Sequence, residues 1–411
     1  MSDNREQAAR NGGPAGPGSG RTRVRPRPAR RIRWDDPTTI WRIVIQVLFL
    51  AVIVAVGAFF YRNMTESLRS LGLTFNFRWL KLQAGFGISE GIAYDLTDTY
   101  GRAFVVGIVN TVKVVFFGIV FASVIGLVGG LARLSSNWLV RALATVYVEV
   151  FRNTPLLLQL LFWYGAVILK LPPVRQAVNL FDRVFLSQRG AYIPRFMLVE
   201  DIGGWRVFFI AAMAVSVAVY FYRRRQLMLQ DRPGFPSVWA LASFVVLMAG
   251  GWLVLGSPVT VDLPVLQRFN FEGGLQLTPE FTALLLGLSA YTGAFIAEVV
   301  RGGIQAVDKG QREAALALGL RPFHVQYLVI IPQALRIIVP PLTSQYLNLA
   351  KNSSLAVAIG YPELFNIGTT TMNQSGQTIP VFLVIIACYL SLSLLTSLFM
   401  NWWNRRLAYV Q

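Results

Sequence analysis

The sequence predicts an all-α polytopic membrane protein of about eight transmembrane helices, and three observations support that reading. Hydrophobic residues make up 54% of the 411-residue chain and charged residues only 14%, too little polar surface to cover a soluble globule. Several apolar runs approach or pass the ~18 to 20 residues that a helix needs to cross ~30 Å of hydrocarbon. These runs lack the strict apolar/polar alternation of a membrane barrel.

The expected spans are 43–61, 103–132, 154–170, 206–222, 237–255, 279–300, 336–358 and 380–402. Residues 1–42 precede them with ten arginines against four acids, mixed with Pro and Gly, and read as a disordered tail. Arginine-rich flanks stay on the cytoplasmic side. That places both termini, including 404–411, and the loops 133–153, 223–236 and 301–335 inside, where Arg133, Arg141, Arg152, the run Arg223 to Arg225, Arg312 and Arg321 agree with it. Residues 43–102 hold the first helix and a periplasmic loop. A cleavable leader does not fit, because about forty residues precede an apolar run long enough to remain as an anchor.

Composition also excludes function classes. The formal net charge is +18, and the ten arginines of the tail suit anionic lipid better than a folded nucleic-acid surface. One cysteine, Cys388, and one histidine, His324, leave no basis for a disulfide framework, a metal site or Cys/His catalysis. No phosphate-cradling Gly-x-x-x-x-Gly-Lys-Ser/Thr occurs, so any ATP that drives this chain is bound by another subunit.

The polar island between the sixth and seventh spans is built from local signals. Asp308 and Gln311 have the spacing of a helix N-cap with a reciprocating side chain. Glu313-Ala314-Ala315-Leu316-Ala317-Leu318 has high helix propensity, and Gly319 can take the left-handed conformation that ends a helix. Pro322 suits the first turn of a second helix, although Arg321 before it is no capping residue, and Pro332 is expected to interrupt that helix. Two short helices at an angle are the expected product. An amphipathic loop resting on the membrane surface is the plainer alternative.

The order Glu313-Ala314-Ala315, three residues, Gly319, nine residues, then Val329-Ile330-Ile331-Pro332 resembles the cytoplasmic docking loop, or EAA motif, of bacterial ABC importer permeases. Two further stretches resemble the polar amino-acid branch, which carries histidine, glutamine, arginine or L-amino acids generally. One is 103–170, with Asn110-Thr111 and Glu149 through Leu156; the other is 279–403, with Ala290 through Ile304 and Lys351-Asn352-Ser353-Ser354-Leu355. Between them, 171–278 is an insertion expected to add two spans. With the loop Ala84-Gly85-Phe86-Gly87-Ile88, it resembles the larger permeases of broad-specificity L-amino-acid importers.

The resemblance implies a type I importer permease core, coupled to ATPases through Glu313, Ala314, Ala315, Gly319, Pro322 and Pro332 within 302–335. It implies a non-catalytic subunit in the bacterial inner membrane that binds no cofactor or metal itself, ATP-Mg being held by an ABC ATPase dimer. The other expected partners are a periplasmic amino-acid-binding protein and a second permease, a paralogue.

Candidate path residues come from helical spacing. Ser344, Asn348, Lys351 and Asn352 share one face of the seventh span. A lysine within a span costs ~2.5 to 3.5 kcal/mol and is expected to face the bundle interior or a wet cavity. Lys351 either meets a substrate carboxylate or pairs with Glu298 or backbone carbonyls. Tyr291, Phe295 and Glu298 share a face of the sixth span, with Glu298 either contacting a substrate amine or pairing with Arg301 or Lys351. Gln159 and Tyr164 extend a polar side of the third span, and Arg152 reads as an interfacial anchor or part of an inner gate. An autonomous secondary transporter is the competing function class, and it leaves the docking loop unexplained.

Overall fold

The computed structural model describes residues 37–70, 76–198, 203–230, 234–268 and 270–408. Most of the tail expected over 1–42 therefore lies outside the described residues, and its last six residues already belong to a helix. That helix, α1 (Pro37–Ser70), is a separate compact unit whose large apolar side chains are exposed along its length, as lipid contact requires.

The second unit is organised on two long helices, α2 (Tyr100–Arg133) and α7 (Pro279–Gln305). Each is started by a threonine: Thr99 accepts from Arg102 N at 3.2 Å, and Thr278 accepts from Phe281 N at 3.2 Å with Pro279 following in the first turn. Their seam is made of small residues. Gly126, Gly129 and Gly130 of α2 lie against Gly293, Ile296, Ala297 and Val300 of α7. A Cβ on Gly126 would sit 2.4 Å from Ile296 Cγ2, and one on Gly130 would sit 2.8 Å from the Ala297 carbonyl oxygen. Gly126 and Gly130 form a Gly-x-x-x-Gly pair, which lets backbones approach closely where lipid offers no hydrophobic drive for association.

Residues 133–153, expected as a loop, are corrected. Asn137 caps a helix α3 (Trp138–Asn153), accepting from Leu139 N at 2.9 Å. After a break at Thr154–Pro155 the chain continues as α4 (Leu156–Leu161), a π turn over Phe162–Val167 and a short 3₁₀ turn to Lys170. The whole run follows α7: Tyr147 Oη donates to Ala290 O at 2.7 Å, Leu160 packs on Gly287, and Tyr164 Oη donates to Glu280 at 2.9 Å. The third expected span is thus the second half of a longer, broken helix. Charges at Arg141, Glu149 and Arg152 obscured its first half in the sequence.

Among the described residues, seven helices are long and apolar enough to cross a membrane. Two of them belong to the insertion: α5 (Gly203–Leu229) and α6 (Pro236–Leu255) pack on each other through Gly251 against the Phe208 ring and Phe209 edge-on to Phe244. The all-α reading holds for the membrane part, but the insertion also carries short strands. β1 (Val178–Leu180), β2 (Val184–Ser187), β3 (Gly190–Ile193) and β8 (Leu275–Leu277) form an antiparallel sheet, with Tyr192 opposite Gln276. β4 (Arg195–Leu198) pairs with β5 (Val259–Asp262), and β6 (Val265–Leu266) with β7 (Phe271–Glu272). Val174, Tyr192 and Phe271 bury a small core there, and β8 runs directly into Thr278 and α7.

The C-terminal part comprises α8 (Lys309–Ala317), α9 (Pro322–His324), α10 (Ile331–Asn352), α11 (Leu364–Ser375) and α12 (Thr378–Ala408). The fold makes a specific demand on the α2–α7 seam. Gly130→Leu is expected to destabilise the protein by about 1–3 kcal/mol through overpacking, read as a lower thermal midpoint in detergent. Val128→Leu, on the exposed side of α2, is expected to leave that midpoint unchanged.

Candidate functional site

The polar island folds as a hairpin. Asp308 Oδ1 caps α8 by accepting from Gly310 N at 2.6 Å. Gln311 does not reach back to the cap; its Oε1 accepts from Gln333 Nε2 at 3.2 Å and ties α8 to α10. Gly319 closes α8 at φ +81, with Leu320 N donating to Ala315 O at 3.2 Å and Gly319 N to Leu316 O at 2.9 Å, the paired bonds of a Schellman turn. Pro322 starts α9, and Arg321 makes no side-chain cap bond.

The expected interruption at Pro332 is corrected. The chain is helical from Pro322 to Ile359, through a π turn over Val325–Ile330 that leads into α10 with Pro332 in its first turn. A π turn shifts the bonding from i+4 to i+5 and so accommodates proline's missing N–H and its ring.

Ala315, Val325 and Ile330 are buried, and Ile304 and Val307 at the end of α7 pack against them. The hairpin is therefore seated on α7 and continuous with α10. Glu313, Ala314, Gly319, Pro322 and Pro332 lie on its exposed surface. Beside them stand three apolar side chains that the sequence reading passed over: Leu318 is 83% exposed, Phe323 74% and Tyr327 62%. The Phe323 and Tyr327 rings are parallel, 6.4 Å apart, one helical turn from each other. Large apolar side chains grouped on a polar segment mark a contact surface for another protein or for the membrane.

Glu298 stands among arginines. Arg133 and Arg301 bond its two carboxylate oxygens, and Arg152 Nη1 lies 3.9 Å away with its guanidinium 5.2 Å from the Phe295 ring centroid. Pairing with Arg301 matches the sequence reading. Pairing with Lys351 does not occur, and Arg133, 165 residues away in sequence, takes that place. Arg152 thus belongs to an inter-helix charge cluster joining α2, α3 and α7.

On α10, Ser344, Asn348 and Lys351 are exposed and Asn352 is half-buried, while Leu349 and Ala350 on the opposite side are buried. In the single chain Lys351 therefore does not face the bundle interior. It lines a groove of about 570 Å³ with Phe365, Phe382, Ile385, Tyr389 and Ser393. Among the described residues no carboxylate forms an ion pair with it. Tyr389 closes the groove by donating to Glu363 at 2.7 Å, and Glu363 also caps α11 through Phe365 N and Asn366 N. Burial pushes the Glu363 carboxyl up to about 7 against the opposing pull of these bonds.

Tyr291 is half-buried and packs on Phe295, 5.0 Å between rings. Gln159 is buried at the α3–α4 break, where its Nε2 donates to Phe151 O and Thr154 O, both at 2.9 Å. Phe151 carries the carbonyl whose helical partner would be the N–H that Pro155 lacks. Gln159 therefore holds the break together.

Comparison with known proteins fits this geometry. Residues 233–409 match the family described as binding-protein-dependent transport system inner membrane component. The chain is 46% identical to the permease protein YhdX of Escherichia coli K12, over 91% of this chain and 95% of that one. It is 45% identical to the general L-amino acid transport system permease protein AapQ of Rhizobium johnstonii, covering 90% and 92%. The glutamate/glutamine/aspartate/asparagine transport system permease protein BztB of Rhodobacter capsulatus is 38% identical, covering 88% and 92%.

The charge cluster makes its own prediction. Glu298→Ala leaves three guanidinium groups without their shared carboxylate. A loss of about 1–3 kcal/mol is expected, less than for a fully buried pair because Glu298 keeps some exposure. In thermal unfolding, combining Glu298→Gln with Arg133→Met is expected to recover part of that loss.

Proposed function

The chain belongs to the amino-acid ABC transporter permeases, inner-membrane components of binding-protein-dependent transport systems, and from that membership we propose how this subunit performs its part. It is a multi-pass permease and works with ATPase and substrate-binding partners. In our reading ATP-Mg is bound and hydrolysed on a separate ATPase dimer, the substrate is delivered by a periplasmic amino-acid-binding protein, and the second permease is a paralogue. Both termini are cytoplasmic in this reading. The core is 103–170 with 279–403, and 171–278 is added to it.

The observation that carries the coupling role is the hairpin surface. Leu318, Phe323 and Tyr327 present apolar area next to Glu313 and Ala314, while the buried side fixes the hairpin to α7 and α10. An ATPase groove closing on this surface moves two path helices together. Coupling then requires only that the ATPase favour one of two arrangements of those helices.

Lys351 supplies the cation that meets a substrate carboxylate, supported by its place on an exposed groove and by its having no ion-pair partner among the described residues. Ser344, Asn348 and Asn352 continue that polar face, with Tyr291 a further path candidate. Glu298 and Gln159 serve the framework. The transported class is L-amino acids, including the acidic ones and their amides, a range suggested by the names of two relatives.

Two measurements test this. Proline is locked near φ −65° and cannot adopt the conformation of Gly319, so Gly319→Pro breaks the turn that closes α8. ATP-driven uptake is expected to fall at least about tenfold with insertion intact, and normal uptake by an inserted variant would sink the docking role. In an assembled complex, Lys351→Met is expected to weaken half-saturation of substrate-stimulated ATPase by roughly 10- to 100-fold, the worth of a charge-assisted bond. Unchanged stimulation would remove Lys351 from the path.

A further inference from the structure

The segment 76–99, ahead of α2, belongs to the second unit and is folded against its helices. Trp79 is buried against the rings of Tyr100 and Phe104, and Ala84 N donates to Asp98 O at 2.9 Å, so the segment returns on itself as a strap. Its tip is Glu90-Gly91. Asn110 Nδ2 donates to Glu90 O and to Pro362 O, both at 2.9 Å. Gly91, at φ +129, lies so close to α2 that a Cβ there would be 2.7 Å from Val106 and 2.9 Å from Asn110 Oδ1.

This placement carries the Glu90 carboxylate to the start of α7. Lys113 Nζ lies 2.5 Å from Oε1, and the Thr278 hydroxyl donates to Oε2. Thr278 is also the N-cap of the 27-residue helix α7, whose N-terminal dipole end favours an anion. Lys113 Nζ also lies over the Phe281 ring, 4.3 Å from its centroid. An ammonium, a hydroxyl and a helix N-terminus thus converge on one carboxylate, and that carboxylate is supplied by a strap.

Two buried polar atoms nearby have no partner that the strap can give them. Tyr361 is fully buried with its ring 5.9 Å from that of Phe281, and its hydroxyl makes no hydrogen bond. Burial first, and then the charges of Glu90 and Glu363, raise its pKa, so it remains a donor. Asn110 is equally buried; its amide nitrogen is used twice, while its Oδ1, facing Gly91, accepts nothing. A buried polar group left without a hydrogen bond forfeits its hydration and gains nothing in return. A free amino acid brings what both lack: a carboxylate for the phenol and an ammonium for the amide oxygen.

We propose that Lys113, Thr278 and Tyr361 form an entry site for the α-carboxylate of a transported amino acid, with Asn110 Oδ1 receiving its ammonium, and that Glu90 keeps this site closed until substrate displaces it. The proposal rests on the amino-acid importer reading above and deepens it. A tethered carboxylate competes at an effective concentration in the millimolar range. Dilute free amino acid therefore does not open the site, whereas substrate released at the mouth by a binding protein does.

The test uses the whole transporter, with its ATPases and second permease, in lipid nanodiscs and without binding protein, probed with radiolabelled L-glutamine. Glu90→Gln removes the competing charge and keeps the shape of the side chain. It is expected to bind L-glutamine at least tenfold more tightly than wild type, and Glu90→Gln combined with Lys113→Met is expected to lose that gain. The α-amide of L-glutamine, which lacks the carboxylate, is expected to show no gain. Equal binding by wild type and Glu90→Gln, persistence of the gain without Lys113, or the same gain for the amide would each overturn the proposal.

A second measurement needs no variant. In the wild-type complex, saturating L-glutamine is expected to raise hydrogen exchange over residues 84–98, and unchanged exchange would overturn the plug. Failure of ATP-driven uptake of any L-amino acid would instead strike at the importer reading. Normal uptake with a negative result here would remove only the entry site.

Discussion

The close approach of α2 and α7 is the constraint on which the rest of the second unit depends. Lipid tails are as apolar as leucine, so helices in a bilayer associate through van der Waals contact and internal hydrogen bonds. Gly126 and Gly130 of α2 against Ile296, Ala297 and the α7 backbone provide the first; Tyr147 of the neighbouring α3, donating to Ala290 O of α7, provides the second. With α7 fixed in this way, its two ends become defined positions. At one end Thr278 receives the strap carboxylate and continues the β8 strand. At the other, Ile304 and Val307 seat the α8 hairpin. A force applied to the hairpin is therefore applied to the helix that also forms the opposite entrance.

The charges sort by what surrounds them. Glu298 is enclosed by Arg133, Arg152 and Arg301 and spends its oxygens on them, so it joins α2, α3 and α7. Lys351 lies on the outer face of α10, where its charge is available to something outside the single chain. A lysine at such a position in a membrane span demands an aqueous or protein environment, which fits a face turned toward a path shared with a second permease. The same contrast separates Gln159, spent on the carbonyls beside Pro155, from Asn348 and Ser344, which remain open.

Local chemistry was legible in the sequence and long-range pairing was not. The cap at Asp308, the turn at Gly319 and the start at Pro322 each depend on residues within one helical turn, and all three are found where spacing places them. The continuity of the helix through Pro332 is not legible in spacing, because a single π turn that buries Val325 and Ile330 removes the break that proline ordinarily makes. The partner of Glu298 was half right: Arg301 is three residues away, but Arg133 comes from another helix, and no spacing rule reaches it. Helix α3 was missed because its charges suppress a hydropathy average even though Ala144 and Val148 face the core. The strands of the insertion are not legible because each described one is only two to four residues long and they lie between strongly apolar helices.

The central claim is that this permease moves amino acids only when ATP is hydrolysed on subunits docked to the α8 hairpin. Uptake of a labelled L-amino acid mixture into proteoliposomes holding the complete complex, with binding protein supplied, tests it most directly when intact ATPase is compared with ATPase unable to hydrolyse. The account predicts uptake with the first and loss of uptake with the second. Equal uptake with both, or a purified transporter that contains no ATPase, would contradict it.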